Sequence, residues 1–214
     1  MNSMKIVIIG NGPAAIKALE AIDLHVDVSS SRRPEVTVIS SEKAKAYAPM
    51  FLIKYITGQL TEGQLLLTPE DQGYSFPARK IFGTRVVELK EENRKIVLED
   101  GREIGFDKLL IASGSSPITP PISSLTRKGV FFLGRLGDAK NISRAVKQAS
   151  DVIIIGAGAM GMEAAVAFDH RGKKIKVVEL AGHILPQTLG PNPAEYARGK
   201  LEAQGIEFRL GEAV

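Results

Sequence analysis

Two glycine-punctuated stretches carry the residue types from which chemistry can be argued. The first, Lys5-Ile6-Val7-Ile8-Ile9-Gly10-Asn11-Gly12-Pro13-Ala14-Ala15, is an apolar run that stops at glycine and becomes helical, with Ala15, Ala18, Leu19 and Ile22 sharing one face. It predicts a strand, a tight turn and a helix start. Gly10 permits the turn, Gly12 lets a pyrophosphate approach the backbone, and Ala15 keeps helix and strand close. Pro13 and Ala14 open the helix, whose free amides and positive dipole end suit phosphate.

One such turn is common among α/β proteins, so a second copy matters. Asp151-Val152-Ile153-Ile154-Ile155-Gly156-Ala157-Gly158-Ala159-Met160-Gly161 repeats the pattern with its full third glycine, and Lys174–Glu179 follows as the next strand. Glu179 lies near the ~20-residue offset at which a carboxylate accepts a ribose 2′-hydroxyl and repels a 2′-phosphate. Two bound dinucleotides, the second NAD rather than NADP, are expected over two unliganded α/β units.

Other chemistries find little support. The 214 residues include no cysteine, which removes thiol nucleophiles, disulfide relays and iron–sulfur ligation within this chain. His25, His170 and His183 are scattered without metal-ligand spacing. The net charge of +4 and pI near 9.2 come from Lys and Arg spread along the chain without aromatic interleaving, so nucleic acid is not the expected partner. No apolar run approaches the ~20 residues of a membrane span. With no room for a signal peptide before the first strand, a cytoplasmic protein is expected.

The elements that must position the turns follow in order. A polar loop from Ser29 leads into a second strand, Glu35–Ile39, after which Ser41 or Glu42 stands at the register of a ribose ligand. Arg85–Leu89, Lys95–Glu99 and Glu103-Ile104 read as a small meander of strands. Phe106–Ile111 reads as a buried strand ending in the small residues Ala112, Ser113 and Gly114, where backbone can approach a planar ring. Pro117, Pro120 and Pro121 mark a boundary between domains, 1–119 and 120–214. Gly129–Ala139 resembles a strand leading into a helix ahead of the second glycine motif in a known flavoprotein family, with Gly137-Asp138 at the entry to the second unit. Pro193–Gln204 predicts a helix capped by Asn192, and Ile206–Leu210 a closing strand.

Together with the two glycine motifs, the run Met50-Phe51-Leu52-Ile53-Lys54-Tyr55-Ile56-Thr57-Gly58 and the segment Asp107–Pro117 resemble the pyridine nucleotide-disulfide oxidoreductase-like flavoproteins. That group includes NADH oxidases, coenzyme A disulfide reductases, nitrite reductase FAD modules, and rubredoxin and ferredoxin reductases. The resemblance implies two Rossmann-like units in a glutathione-reductase-like arrangement, binding FAD first and NAD(H) second. It implies that Ser41 or Glu42 meets the flavin ribose, that Val86 lies near the adenine, and that Glu163 reaches towards the nicotinamide. Thiol-using members carry a redox cysteine where this chain has Met50, and methionine forms neither thiolate nor mixed disulfide. The implied activity is therefore hydride transfer from NADH to FAD without a sulfur relay, then on to a protein or small acceptor. The alternative is a non-catalytic nucleotide-binding or electron-transfer subunit. The alkaline pI suits a small acidic carrier such as a rubredoxin or ferredoxin. Complete members continue beyond this point, so the second unit is expected to be incomplete, with the missing region supplying a homodimer or partner-subunit interface.

Overall fold

A computed structural model describes residues 3–26, 33–67, 74–76, 78–119 and 127–213. The polar loop at Ser29–Arg32, the connection from Thr68 to Gly73, and Pro120 and Pro121 lie outside the described residues. The chain divides into two compact units: Met1–Pro49 with Gly63–Ser116, and Met50–Glu62 with Pro117–Val214. The segment carrying Met50, placed by the sequence within 1–119, clusters with the second unit.

In the first unit, β1 (Lys5–Ile9), α1 (Pro13–His25) and β2 (Glu35–Ser40) build a parallel pair, extended by β3 (Ala78–Phe82) and, on the other side, by a strand near residue 110. Between those two in sequence runs an antiparallel meander of β4 (Val86–Lys90), β5 (Lys95–Leu98) and β6 (Glu103–Gly105), followed by β7 (Lys108–Ile111). The parallel sheet has the order β3-β2-β1-β7. Period-two alternation sorts its side chains between two cores. Ile8, Val36 and Val38 join Ala15, Ile16 and Leu19 of α1 on one face. Val7, Ile39 and Ile81 meet Ile96 and Leu98 of the meander on the other. Both faces of β1 and β2 are thus covered, which is why their sequences read as continuous apolar runs.

β7 departs from the sequence expectation of a buried strand. It pairs only with β1, and Leu110 and Ile111 are 38% and 62% exposed, so it is an edge strand. An apolar run by itself does not tell an edge from a centre.

The second unit holds α2 (Leu52–Ile56), α3 (Leu136–Gln148), β8 (Asp151–Ile155), α4 (Ala159–Asp169), β9 (Lys174–Glu179), α5 (Pro191–Glu202) and β10 (Glu207–Leu210). Its parallel sheet has the order β10-β9-β8, and α4 packs on β8 and β9. β8 is again an edge, with Ile153 and Ile155 more than half exposed. Val130–Leu133 is irregular rather than a strand, having no sheet partner. α5 begins at Pro191 with Gly190 as its N-cap; Asn192 lies inside the first turn because proline at the first helical position starts the helix earlier. Asp138 finds a definite role: its carboxylate accepts from the Gly134 and Arg135 amides at 3.1 and 2.9 Å and so caps α3.

On the meander, Lys90 and Lys95 donate to Glu103 at 2.7 and 2.8 Å, and these hydrogen bonds hold its carboxyl at about 2 instead of 4.5. A carboxyl lowered by folding stabilises fully above its ordinary value, and that contribution disappears as pH falls through the folded value. All three side chains are over a third exposed, so the effect is modest and screened by salt. Thermal unfolding of Glu103→Gln should therefore begin below the parent protein's midpoint at neutral pH, the gap narrowing between about pH 4.5 and pH 2 and closing beneath it. A gap that persists unchanged in acid would show that these lysines do not act through the Glu103 charge.

Candidate functional site

The first glycine turn is fixed by close backbone contact. Gly10 adopts φ +125°, its amide donates to Ile39 O at 2.7 Å, and the Ala112 amide donates to Ile9 O at 2.7 Å. A Cβ at Gly10 would lie 2.0 Å from Ala112 O, so only glycine allows the end of β7 to close on the turn. This brings Ala112 and Ser113 beside Gly10, while Gly114 follows with φ +73° and open space around it. Gly12 is the N-cap of α1, Pro13 takes the first helical position, and no side chain caps the amides of Ala14 and Ala15. A Cβ at Gly12 would meet nothing within 4 Å. The helix start therefore presents amide donors to a vacant approach, the arrangement a diphosphate needs.

The loop after β2 sits alongside. Asn11 Nδ2 donates to Ala44 O at 3.2 Å, tying the turn to that loop. Ser41 is exposed. Glu42 is half-buried, and the Tyr47 hydroxyl reaches both its carboxylate oxygens, at 3.2 and 3.1 Å. Gly83 and Thr84 both donate from their backbone amides to Ser40 O, at 2.8 and 3.2 Å, which brings the start of the meander to the end of β2. Val86, two residues on, packs into the core between sheet and meander. Asn11 escapes the sequence reading because its contact depends on where separate loops meet, and Tyr47 because its contact depends on the irregular path of the loop after β2.

The second turn repeats the first with one addition. Gly156 has φ +102° and donates to Val178 O at 2.8 Å, and Gly158 is the N-cap of α4, with nothing within 4 Å of an added Cβ. Ala159 and Met160 lie exposed in the first helical turn. A Cβ on Gly161 would stand 2.1 Å from Gly156 O, so the third glycine is what lets helix and turn touch. Glu179 does more than the sequence foretells. One carboxylate oxygen accepts the Ala157 amide at 2.7 Å and the other the Ala181 amide at 2.8 Å. The Ala157 carbonyl in turn accepts from the Leu185 amide at 2.8 Å, so the two consecutive peptide groups flanking the Ala157 Cα are each held. Glu163 is exposed on α4, and no hydrogen bond holds it among the described residues. Met50 is 62% exposed on a short 3₁₀ turn, Pro49–Phe51.

No group of His, Asp or Glu among the described residues could hold a metal ion, and no described helix is long and apolar enough to cross a membrane. Two parallel α/β units, each opening at an uncapped helix start behind glycines, define a dinucleotide-binding protein. The chain belongs to the pyridine nucleotide-disulphide oxidoreductase family, whose model matches residues 4–214. It is 31% identical over 217 residues to an NADH oxidase of Methanocaldococcus jannaschii, covering 98% of this chain and 47% of that protein. It is 27% identical over 208 residues to a rubredoxin-NAD(+) reductase of Ectopseudomonas oleovorans, covering 97% and 53%. The fold matches that of the reductase in the covalent putidaredoxin reductase–putidaredoxin complex with a TM-score of 0.90 at 21% identity, over 100% of this chain and 51% of that one. The chain thus spans about half the length of these relatives. FAD and NAD(H) are the family's cofactors, and the two turns, with open space at Gly12 and Gly158, fit their diphosphates.

Gly10→Ala and Gly12→Ala should separate the two demands on glycine. The first meets Ala112 O and a left-handed backbone, and should lower the unfolding free energy by roughly 2 to 4 kcal/mol. The second meets open space at an ordinary φ and should change it by less than about 0.5 kcal/mol. Urea unfolding of both variants checks this; equal losses would mean that the turn is not held as described.

Proposed function

We propose that the first unit binds FAD, the second binds NADH, and the protein passes hydride from NADH to the flavin and then two electrons to a protein or small-molecule acceptor without a cysteine relay. The observation that carries this reading is the pair of glycine turns with room before Gly12 and Gly158, each with no side chain capping its helix start. When bound, the cofactors supply the hydride donor and acceptor themselves. The chain's part is to hold and orient them. Gly10, Gly12 and the Ala14 and Ala15 amides would receive the FAD diphosphate, with Ala112, Ser113 and Gly114 leaving room for it. Glu42, steadied by Tyr47, or Ser41 beside it, would take the ribose, with Val86 near the adenine. Gly156, Gly158 and the helix start at Ala159, Met160 and Gly161 would receive the NADH diphosphate. Glu179 would meet the ribose hydroxyls through the lone pairs its two amide bonds leave open, and Glu163 would face the nicotinamide.

Met50 carries no thiol, which favours an electron carrier or small acceptor over a disulfide. The alkaline pI and the kinship with a rubredoxin reductase support a small acidic carrier such as a rubredoxin or ferredoxin. Assembly as a homodimer or with a partner subunit belongs to the same proposal.

Protein reconstituted with FAD should show a flavin spectrum that NADH bleaches anaerobically and NADPH bleaches far more slowly. Glu179→Gln, which removes the charge that repels a 2′-phosphate, should shrink that preference by about tenfold. Protein that takes up no FAD, or whose flavin NADH leaves oxidised, would contradict the proposal and favour a non-catalytic nucleotide-binding subunit.

A further inference from the structure

The second unit holds a cleft of about 520 Å³ that none of the glycine-turn residues lines. It opens where the end of α2, the last turn of α3 and the segment after α4 converge. Three cations line it, Lys147, Arg171 and Lys173, together with the Tyr55 hydroxyl, over a floor that includes Ile56 and Phe168. No carboxylate lines it.

In this unit Lys140 pairs with Glu62, Lys176 with Glu207, Arg198 with Glu195 and Glu202, and Arg209 with Glu207. The cations of the cleft form no ion pair among the described residues. Lys173 Nζ donates to Ala149 O at 2.6 Å, which accounts for that residue as a tie between two loops. The side chains of Lys147 and Arg171 make neither ion pair nor hydrogen bond among the described residues. Helix dipoles account for their positions, since both stand at helix C-terminal ends where a cation is favoured, but a dipole leaves their N–H donors unused. Arg171 is also placed rather than free. Its terminal nitrogen lies 3.5 Å from where a Cβ of Gly58 would project, and Gly58, at φ +71°, supplies the bare backbone beneath it.

Two unmatched cations, a phenol and an apolar floor in one cleft of ligand size make up the complement of a phosphate monoester with a compact organic body. We propose that this cleft binds such a phosphate monoester, its phosphate held by Lys147 and Arg171 and its organic part lying over Ile56 and Phe168. The proposal stands apart from the reading of the glycine turns, because it uses different residues and requires neither cofactor.

Phenyl phosphate serves as the probe, titrated into isotopically labelled protein with amide resonances followed. Saturable shifts are expected at Gly58, Ser143 and Arg171, at lower concentration than inorganic phosphate requires. The double variant Lys147→Gln, Arg171→Gln should weaken the interaction by about tenfold or more. Lys140→Gln, on the same helix but paired with Glu62, should leave it unchanged. Both cleft cations are exposed, so the double variant should keep the parent's thermal midpoint. Absence of shifts at millimolar probe, shifts confined to Gly156–Gly161, or binding equally strong in the double variant would overturn the proposal. Equal affinity for inorganic phosphate would overturn the role given to the apolar floor.

Discussion

Everything in the two units hangs on backbone touching backbone at a glycine. At Gly10 the contact is with Ala112 O; at Gly161 it is with Gly156 O, and in both places a single added carbon would stand about 2 Å from a carbonyl oxygen. Such contacts let a strand end, a turn and a helix start crowd together, leaving the helix's first amides without internal partners. Those amides must be satisfied by something. Water suffices when the turn is empty, and a diphosphate suffices when it is filled, with the helix dipole favouring the anion.

The surrounding fold serves that geometry. In the first unit, the sheet is sandwiched between α1 and the meander, so β1 cannot shift register without moving Ile8 and Val7 out of two different cores. The turn at the end of β1 is rigid in consequence. In the second unit, the corresponding strand is an edge, and rigidity comes partly from elsewhere. Glu179 and the Leu185 amide hold the peptide groups before and after the Ala157 Cα. The carboxylate proposed to meet a ribose thereby shapes the turn beside it.

Much of this was legible in the sequence because glycine spacing and apolar runs are local signals. Both strand–turn–helix units, the second strand of each and the meander follow from them. Non-local facts did not. The open edge at β7 could not be told from a buried strand, since Leu109, Leu110 and Ile111 are apolar in either case. Val130–Leu133 resembles a strand of the family, yet no neighbouring strand among the described residues pairs with it. Pro191 rather than Asn192 set the start of α5 because proline already suits the first helical position. Asn11 gained its partner Ala44 from a loop distant in sequence, and the Tyr47–Glu42 bond depends on how one irregular loop folds back on itself, which no periodic pattern encodes. The Met50 substitution, by contrast, could be read directly, because chemistry lost with a thiol needs no tertiary contact to be noticed.

The proposal stands or falls with a dinucleotide diphosphate binding in the open space before the uncapped helix amides. The most direct measurement follows amide resonances while NADH is added. The account predicts saturable shifts concentrated at Gly158, Ala159, Met160 and Gly161, and their loss in Gly158→Val. Shifts that bypass this turn, or that survive the valine, would contradict it.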